Sequence, residues 1–578
     1  MPSCSTNVAG EDYADFIQRH NNLTPDQLAE AFENPCVEYV NQEFAITHVP
    51  LAEALPLSVE RDTYDAIPKL YALLDTTSME ASGILPVFNQ PSLGIKGEGS
   101  IIGIIDTGID YQNPVFRKPD GTTRILGIWD QTIQGPAFSL PGPRLEYPFL
   151  YGTAYTEEQI NEALRSPDPL AVVPSNDTDG HGTFLAGIAG GSEIPSQNFI
   201  GASPECSLVI VKLKPAKQYL RDFFLIREDA VAFQENDIMT GITYLTLIAF
   251  MYDLPLTICL GLGTNQGSHD GTSPLSLRLS SLGNALGIAA VCAAGNEVGY
   301  RNHFRGAITS SMEYDEVELR VAPGEKGFIL ELWANAPELY TVGFVSPTGE
   351  IIQRIPQIPG NETLITFQRE DTAIAVNYLP NVGRTGSQLV FMRFQAPTPG
   401  IWRIRVYNLI FLNGIYHIWL PVHGFTSDDT IFLEADPYTT IAGPGNSSFA
   451  ITVSTYNHIN NSLYIHSSRG NARDGLIKPD ITAPGVDVYG PGLSAPGGEP
   501  VMIRMTGSSV AAAHTAGAVS NLMSWGIAKG NDPGISYRTI RSALIRGADR
   551  NPGYVYPNRE WGYGTLDLYQ TFLYLQKS

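Results

Sequence analysis

The 578-residue chain reads as an α/β protein: a parallel sheet flanked by helices, an N-terminal α+β segment in front, and an inserted antiparallel β-sandwich. Three observations predict this. Short apolar runs recur at residues 101–105, 208–213, 255–262 and 288–294, as strands buried on both faces require. Longer stretches with helical apolar spacing separate them, at 230–250 and 275–286. From about 302 to 443 the pattern changes to period-two alternation broken by turn residues, and α/β character returns at 449–454.

Taken in order, residues 1–76 form the front unit. A helical pattern at 25–32 precedes a strand-like stretch at 37–49 and a second helical stretch near 51–61. The unit closes on the extended apolar Pro68-Lys-Leu-Tyr-Ala-Leu-Leu74. Residues 77–301 hold the first part of the α/β unit, whose run at 101–105 ends in Asp106-Thr-Gly108. That ending puts a carboxylate at the C-terminal end of a parallel strand, where such folds collect functional groups. Residues 302–443 carry the alternating runs, among them Glu316-Val-Glu-Leu-Arg-Val321 and Ile401-Trp-Arg-Ile-Arg-Val-Tyr407. Residues 444–578 complete the α/β unit with a small-residue helix after Thr506.

Charge narrows the partners. Lys plus Arg number 36 against 59 Asp plus Glu, a net charge of −23, which repels phosphate backbones and anionic lipid. No nucleic-acid or membrane partner is expected. Apolar runs are interrupted well before the ~18 residues of a membrane span. The N-terminus has no basic start and no apolar run of signal-peptide length, so no classical signal peptide is expected, and a cytoplasmic or spore-associated location is. The five cysteines (Cys4, Cys36, Cys206, Cys259, Cys292) are scattered without a CxxC pair and read as reduced thiols.

Three short motifs carry chemistry: Asp106-Thr-Gly108, Asp179-Gly-His181-Gly-Thr183 and Thr506-Gly-Ser508-Ser509-Val-Ala511. They supply an acid, a base and a nucleophile. A serine hydroxyl attacks only when an imidazole takes its proton, and a carboxylate must hold that imidazole's tautomer. Singly, Asp106 reads equally well as a strand-end cap and Ser509 as a helix N-cap. His181 between Gly180 and Gly182 is a poor core residue, because the glycines fill no space. Their joint occurrence favours catalysis.

At these residues the chain resembles the subtilisin-like serine proteases, the S8 family. The resemblance runs through Ile105-Asp-Thr-Gly-Ile-Asp110, His181-Gly-Thr-Phe-Leu-Ala-Gly187, Ala293-Ala-Gly-Asn296, Ile477-Lys-Pro-Asp-Ile-Thr-Ala-Pro-Gly485, Gly507-Ser-Ser-Val-Ala-Ala-Ala-His514 and Trp561-Gly-Tyr-Gly564. Within that family it most resembles the Csp germination proteases of clostridia, which share the front segment, a jelly-roll insertion after the oxyanion asparagine, and a segment like Arg124-Ile-Leu-Gly-Ile-Trp-Asp130.

The resemblance implies a serine endopeptidase with Asp106, His181 and Ser509 as its triad, Ser508 standing where Thr is usual. It implies that Asn296 donates in the oxyanion hole, and that Leu260, Gly261, Leu262 and Gly263, with Ala294 and Gly295, bind substrate. Gly261 replaces the usual Ser, which is expected to widen that wall. Residues 1–76 become a pro-segment that assists folding, occupies the site and is cut off between about Leu73 and Gly83. No cofactor is implied. Val115 stands where a calcium-ligating Asp is common, so calcium has no identified ligand set, although surface carboxylates elsewhere offer oxygens. The implied partners are a protein or peptide substrate and the pro-segment; the implied role is limited cleavage of a zymogen such as a spore-cortex hydrolase precursor, in the cytoplasm or the spore. Two other readings stand beside it: a non-catalytic germinant sensor or scaffold, as in Csp members that lost triad residues, and a carbohydrate-binding insertion using Trp333, Trp402 and Trp419. Aromatic residues in a sandwich more often form core.

Overall fold

The computed structural model describes residues 8–34, 36–59, 61–73, 80–90, 93–358, 361–494 and 500–576. A nine-stranded sheet organises the chain. Its strand Ile101–Asp106 lies between Ser207–Lys212 and Leu256–Leu260, all parallel. Ile288–Ala293, Ile451–Asn457 and Ile481–Pro484 continue the parallel sheet on one side and Ile125–Asp130 on the other. Antiparallel Thr153–Thr156 and Ser462–Leu463 close its edges.

The uninterrupted apolar run of the central strand has a physical cause: the sheet is covered on both faces. Ile102 and Ile104 enter one core with Leu185, Ile188, Ala512 and Val519, from the helices His181–Gly190 and Ser508–Met523. Ile101 and Ile105 enter the opposite core with Leu245, Ile248 and Leu279, from Glu235–Tyr252 and Pro274–Leu282. Alternate residues thus face alternate cores, and no position of the strand can be polar until it ends at Asp106.

The front unit pairs Tyr13–Arg19 with Phe44–Pro50 and Phe44–Pro50 with Val37–Tyr39, all antiparallel, beside the helix Pro25–Ala31. The stretch expected as one strand over 37–49 is a hairpin, because the Asn41 carboxamide oxygen accepts from the Glu43 and Phe44 amides and turns the chain. The helix expected to 61 ends at Ala54, since Pro56 disfavours helical backbone at Leu55 before it. Cys36 is disulfide-bonded, which corrects the reading of five thiols; Cys206, Cys259 and Cys292 are free and buried.

Between residues 303 and 432 two antiparallel sheets, of six and five strands, share a core that includes Leu330, Val342, Phe394, Trp402 and Ile418. The alternation in Asp315–Val321 follows from this, with Val317, Leu319 and Val321 inward. Trp333, Trp402 and Trp419 are all buried, so none offers a flat face to a sugar. A further core joins the three parts of the chain: Phe16, Tyr64 and Leu70 from the front, Tyr219 and Phe223 from the α/β unit, and Trp333, Phe391 and Trp419 from the antiparallel sheets. Among the described residues, no helix is long and apolar enough to cross a membrane, and no group of three or more His, Cys, Asp and Glu side chains is arranged to hold a metal.

Candidate active site

Asp106 is the last residue of the central strand, where the chain leaves the sheet. Its Oδ1 accepts from the Thr107 amide at 2.8 Å and stands 2.7 Å from His181 Nδ1. His181 opens a helix whose start is tied down by Asp177. That carboxylate accepts from the Asp179, Gly180 and Thr183 amides and from the Thr183 hydroxyl, at 2.8–3.0 Å. Thr183 Oγ1 in turn accepts from the Asp110 amide at 2.9 Å, which locks the His181 turn to the loop after Asp106. The two loops approach so closely that a Cβ on Gly182 would lie 2.3 Å from the Gly108 carbonyl; only glycine fits.

The second nitrogen, His181 Nε2, is 3.1 Å from Ser509 Oγ. The neighbouring hydroxyls diverge. Ser508 Oγ accepts from the Gly295 amide at 3.1 Å, and the Ser508 amide donates to Asn296 Oδ1 at 2.9 Å, so Ser508 faces the end of Ile288–Ala293 while Ser509 faces the imidazole. With Oδ1 of Asn296 held by backbone, its Nδ2 is the group left to donate. Ser509 sits in the first turn of Ser508–Met523, where unpaired amides and the positive end of the helix dipole gather.

Beside this cluster, Leu70–Leu73 lies as the middle strand between Phe233–Gln234 and Leu262–Gly263, antiparallel to both. Leu73 pairs with Leu262 and Ala72 with Gly263. The Leu70 amide donates to Gln266 Oε1 at 3.0 Å, and the Glu235 amide donates to the Lys69 carbonyl at 2.9 Å. The chain's own residues 70–73 thus occupy this edge as an added strand.

The other expected substrate residues divide. Gly261 abuts Ser509: a Cβ there would lie 2.9 Å from Ser509 Cβ and 2.6 Å from Leu185 Cδ1, so the glycine permits close approach rather than a wider wall. Leu260 pairs with Cys292 inside the main sheet and buries its side chain in the core. Ala294 and Gly295 have their backbone groups engaged. Ala294 donates to Val453 O and accepts from Ala442 N, and Gly295 accepts from Ser468 N, each at 2.9 Å.

Several positioning residues carry no sequence signal, because charged side chains in loops read as solvated. Glu297, directly after Asn296, is buried and accepts from Asn265 Nδ2, Asn302 Nδ2 and the His423 amide, clamping the asparagine loop to the antiparallel sheets. Burial pushes its carboxyl up. At the front, Asp15 accepts from Lys217 Nζ at 2.9 Å and Gln234 Nε2 at 2.9 Å, and lies 2.8 Å from His48 Nδ1. Burial opposes ionisation of Asp15, but Lys217 and then His48 outweigh it and hold the carboxyl well below the usual range. Tyr64 donates to the buried Glu331 carboxylate at 2.7 Å, joining the front unit to the antiparallel sheets. The expected processing region falls mostly on residues 74–79, outside the described residues.

A model of the subtilase family matches residues 97–321 and 433–564. The chain belongs to the subtilase family of serine endopeptidases. Between those stretches lie strands Gly327–Ala334 to Ile415–Trp419 of the two antiparallel sheets. The structure is similar to the CspB protease of Clostridium perfringens, with TM-score 0.73 and 30% identity, covering 85% of this chain and 96% of that one. Among curated relatives, the subtilisin-like protease SBT3 of Solanum lycopersicum is 22% identical over 504 residues, 79% of this chain. SBT3.6 of Arabidopsis thaliana is 26% identical over 245 residues, 41% of this chain. The match spans 58% of the tomato protein and 30% of the Arabidopsis one.

Proposed function

We propose that Ser509 is the nucleophile, His181 the general base and acid, and Asp106 the orienting carboxylate of a protease that cuts its own front segment first. The observation that carries this reading is the unbroken line from Asp106 through His181 to Ser509, at 2.7 and 3.1 Å, beside a groove that holds an extended peptide. Ser509 Oγ bonds to the scissile carbonyl carbon as His181 Nε2 takes its proton; the same proton then passes to the leaving amine. Asp106 accepts from Nδ1–H, fixing the tautomer and stabilising the imidazolium. Charge on the tetrahedral oxygen meets Asn296 Nδ2 and the positive end of the dipole at the start of Ser508–Met523.

Substrate enters as a strand between Phe233–Gln234 and Leu262–Gly263, with Gly261 bringing that edge against the nucleophile. Residues 1–76 act as pro-segment, cut between about Leu73 and Gly83. Ser509 is fully buried, as a nucleophile under a covering segment is. The antiparallel sheets act as an inserted sandwich of jelly-roll type over 302–443, bracing the Asn296 loop through Glu297. Together with residues 117–175 they crowd the active-site connections and disfavour arbitrary folded substrates. The role that fits is limited cleavage of a protein zymogen, such as a spore-cortex hydrolase precursor at germination. Its support is the likeness to the C. perfringens CspB protease over most of both chains.

Two measurements test this. Phenylmethylsulfonyl fluoride should leave a covalent adduct on Ser509, found by peptide mapping, and none in His181→Ala; an adduct elsewhere, or none, rejects the triad. Mature enzyme should cut cortex-hydrolase precursors at one site and leave unfolded casein largely intact. Rapid digestion of casein with the precursors untouched would reject the narrow role and keep the protease.

A further inference from the structure

Away from the groove, an open cleft of about 930 Å³ lies where the three parts of the chain meet. The front unit contributes Arg19, Tyr39 and Glu43, the α/β unit Tyr147 and Arg278, and the antiparallel sheets Arg384. Three guanidinium groups face one carboxylate, in a chain whose net charge is −23. Glu43 is already shared, hydrogen-bonded by Arg19 and Arg384.

Arg278 is the anomaly. It is 4% exposed, yet no carboxylate pairs with it among the described residues, and its Nε has no hydrogen-bond partner. Among the described residues its guanidinium donates only to hydroxyls, Ser281 Oγ at 3.1 Å and Thr243 Oγ1 at 3.4 Å. The other buried arginines are treated differently. Arg473 has Asp270 Oδ2 at 2.7 Å, and Arg124 is satisfied by the carbonyls of Val115, Gly190 and Cys206 with Ser192 Oγ. Burial alone pulls the Arg278 guanidinium down to about 10. A buried cation without a partner is costly, and its fork of donors matches a carboxylate or phosphate head. Beside it the rings of Tyr39 and Tyr147 meet edge to face at 5.4 Å, a wall for an apolar body.

We propose that this cleft binds a small organic anion, its carboxylate or phosphate head on Arg278 and its ring against Tyr39 and Tyr147. The site is independent of the catalytic reading. Because its lining comes from all three parts of the chain, bound anion adds contacts that exist only while the front unit is docked.

The probes are benzoate and phenyl phosphate, added to the full-length protein and followed by thermal melting and calorimetry. At least one should bind saturably, with half-saturation on the order of 1 mM for so small a ligand, and raise the melting temperature. Whichever binds tighter identifies the head group. Uncharged benzamide should give no shift. Arg278→Met should abolish the shift, and Arg384→Ala, at an exposed position that should not disturb folding, should weaken binding roughly tenfold by removing the second cation. The proposal is overturned if neither anion shifts the wild type, if benzamide does as well as benzoate, or if Arg278→Met responds as wild type does. Should Arg278→Met not fold, unchanged affinity in Arg384→Ala overturns it instead.

Discussion

Two His–Asp pairs of nearly identical geometry sit in different parts of the molecule. His181 Nδ1 is 2.7 Å from Asp106 Oδ1, and His48 Nδ1 is 2.8 Å from Asp15 Oδ1, with all four side chains at most 4% exposed. What differs is the other nitrogen. His181 Nε2 faces the Ser509 hydroxyl at 3.1 Å, at the start of a helix and beside the edge that pairs with residues 72–73. His48 Nε2 faces a second carboxylate, Glu38, at 3.7 Å, inside the front sheet. A buried His–Asp pair is therefore not a sign of catalysis by itself. Two carboxylates around one imidazole hold a cation and make a structural joint; one carboxylate and one hydroxyl give the arrangement that the proposed proton relay needs.

Mutation should separate the two pairs. Ser509→Ala or His181→Ala should lower kcat by ~10⁶, the loss subtilisin itself sets for this unit, with the far-UV circular dichroism unchanged. His48→Leu should leave the kcat of the processed enzyme on a short peptide unchanged. A fall in kcat for His48→Leu would break the distinction. Asn296→Ala should lower kcat by about 10²–10³, again the subtilisin scale, with KM little altered, because the donor meets charge present mainly in the transition state. An effect confined to KM would move Asn296 from the oxyanion hole to the substrate wall.

His48→Leu should instead weaken front-unit docking. It removes one partner from a buried set that includes Asp15, Glu38 and Lys217, a change of roughly 3–5 kcal/mol readable by denaturant titration.

The smallest expected effects concern pH and have opposite signs. For His48, burial pushes the pKa down but hydrogen bonds to Asp15 and Glu38 outweigh it and raise it above 6.5. Its stabilisation is full below pH 6.5 and is lost as pH rises through the folded value, so docking should weaken on the alkaline side. Burial instead pulls His269 down to about 4 and His303 to about 3. Below pH 6.5 the unfolded chain binds protons that the folded chain refuses, so stability should fall toward pH 4 by up to about 1.4 kcal/mol per pH unit for each. Melting of the wild type and of His48→Leu across pH should show the alkaline loss in the first alone.

How much of this is legible in the sequence follows the same division. The central strand is readable because burial on both faces forces every residue from Ile101 to Ile105 to be apolar, and the polar residue that ends it is then conspicuous. His181 stands out by its glycines, and Ser509 by the small residues that let its helix bury entirely. The front strand at 70–73 is readable as an extended apolar stretch, although its partners are not, since pairing with residues 233 and 262 is decided by the tertiary fold. The supporting charges are invisible: Asp15 and Lys217 meet across 202 residues, and Glu297 gathers three donors that no local pattern associates. At Leu260 the strand alternation turns the side chain into the core, so a part in substrate binding would fall to its backbone alone.

On the proposed mechanism Ser509 cuts the segment lying across its own groove. Intact-mass measurement of purified wild type beside Ser509→Ala tests it most directly. The wild type should yield two masses, from a cut between about Leu73 and Gly83, and Ser509→Ala a single uncut chain. A wild type that stays whole, or a Ser509→Ala protein cut at the same place, would contradict it.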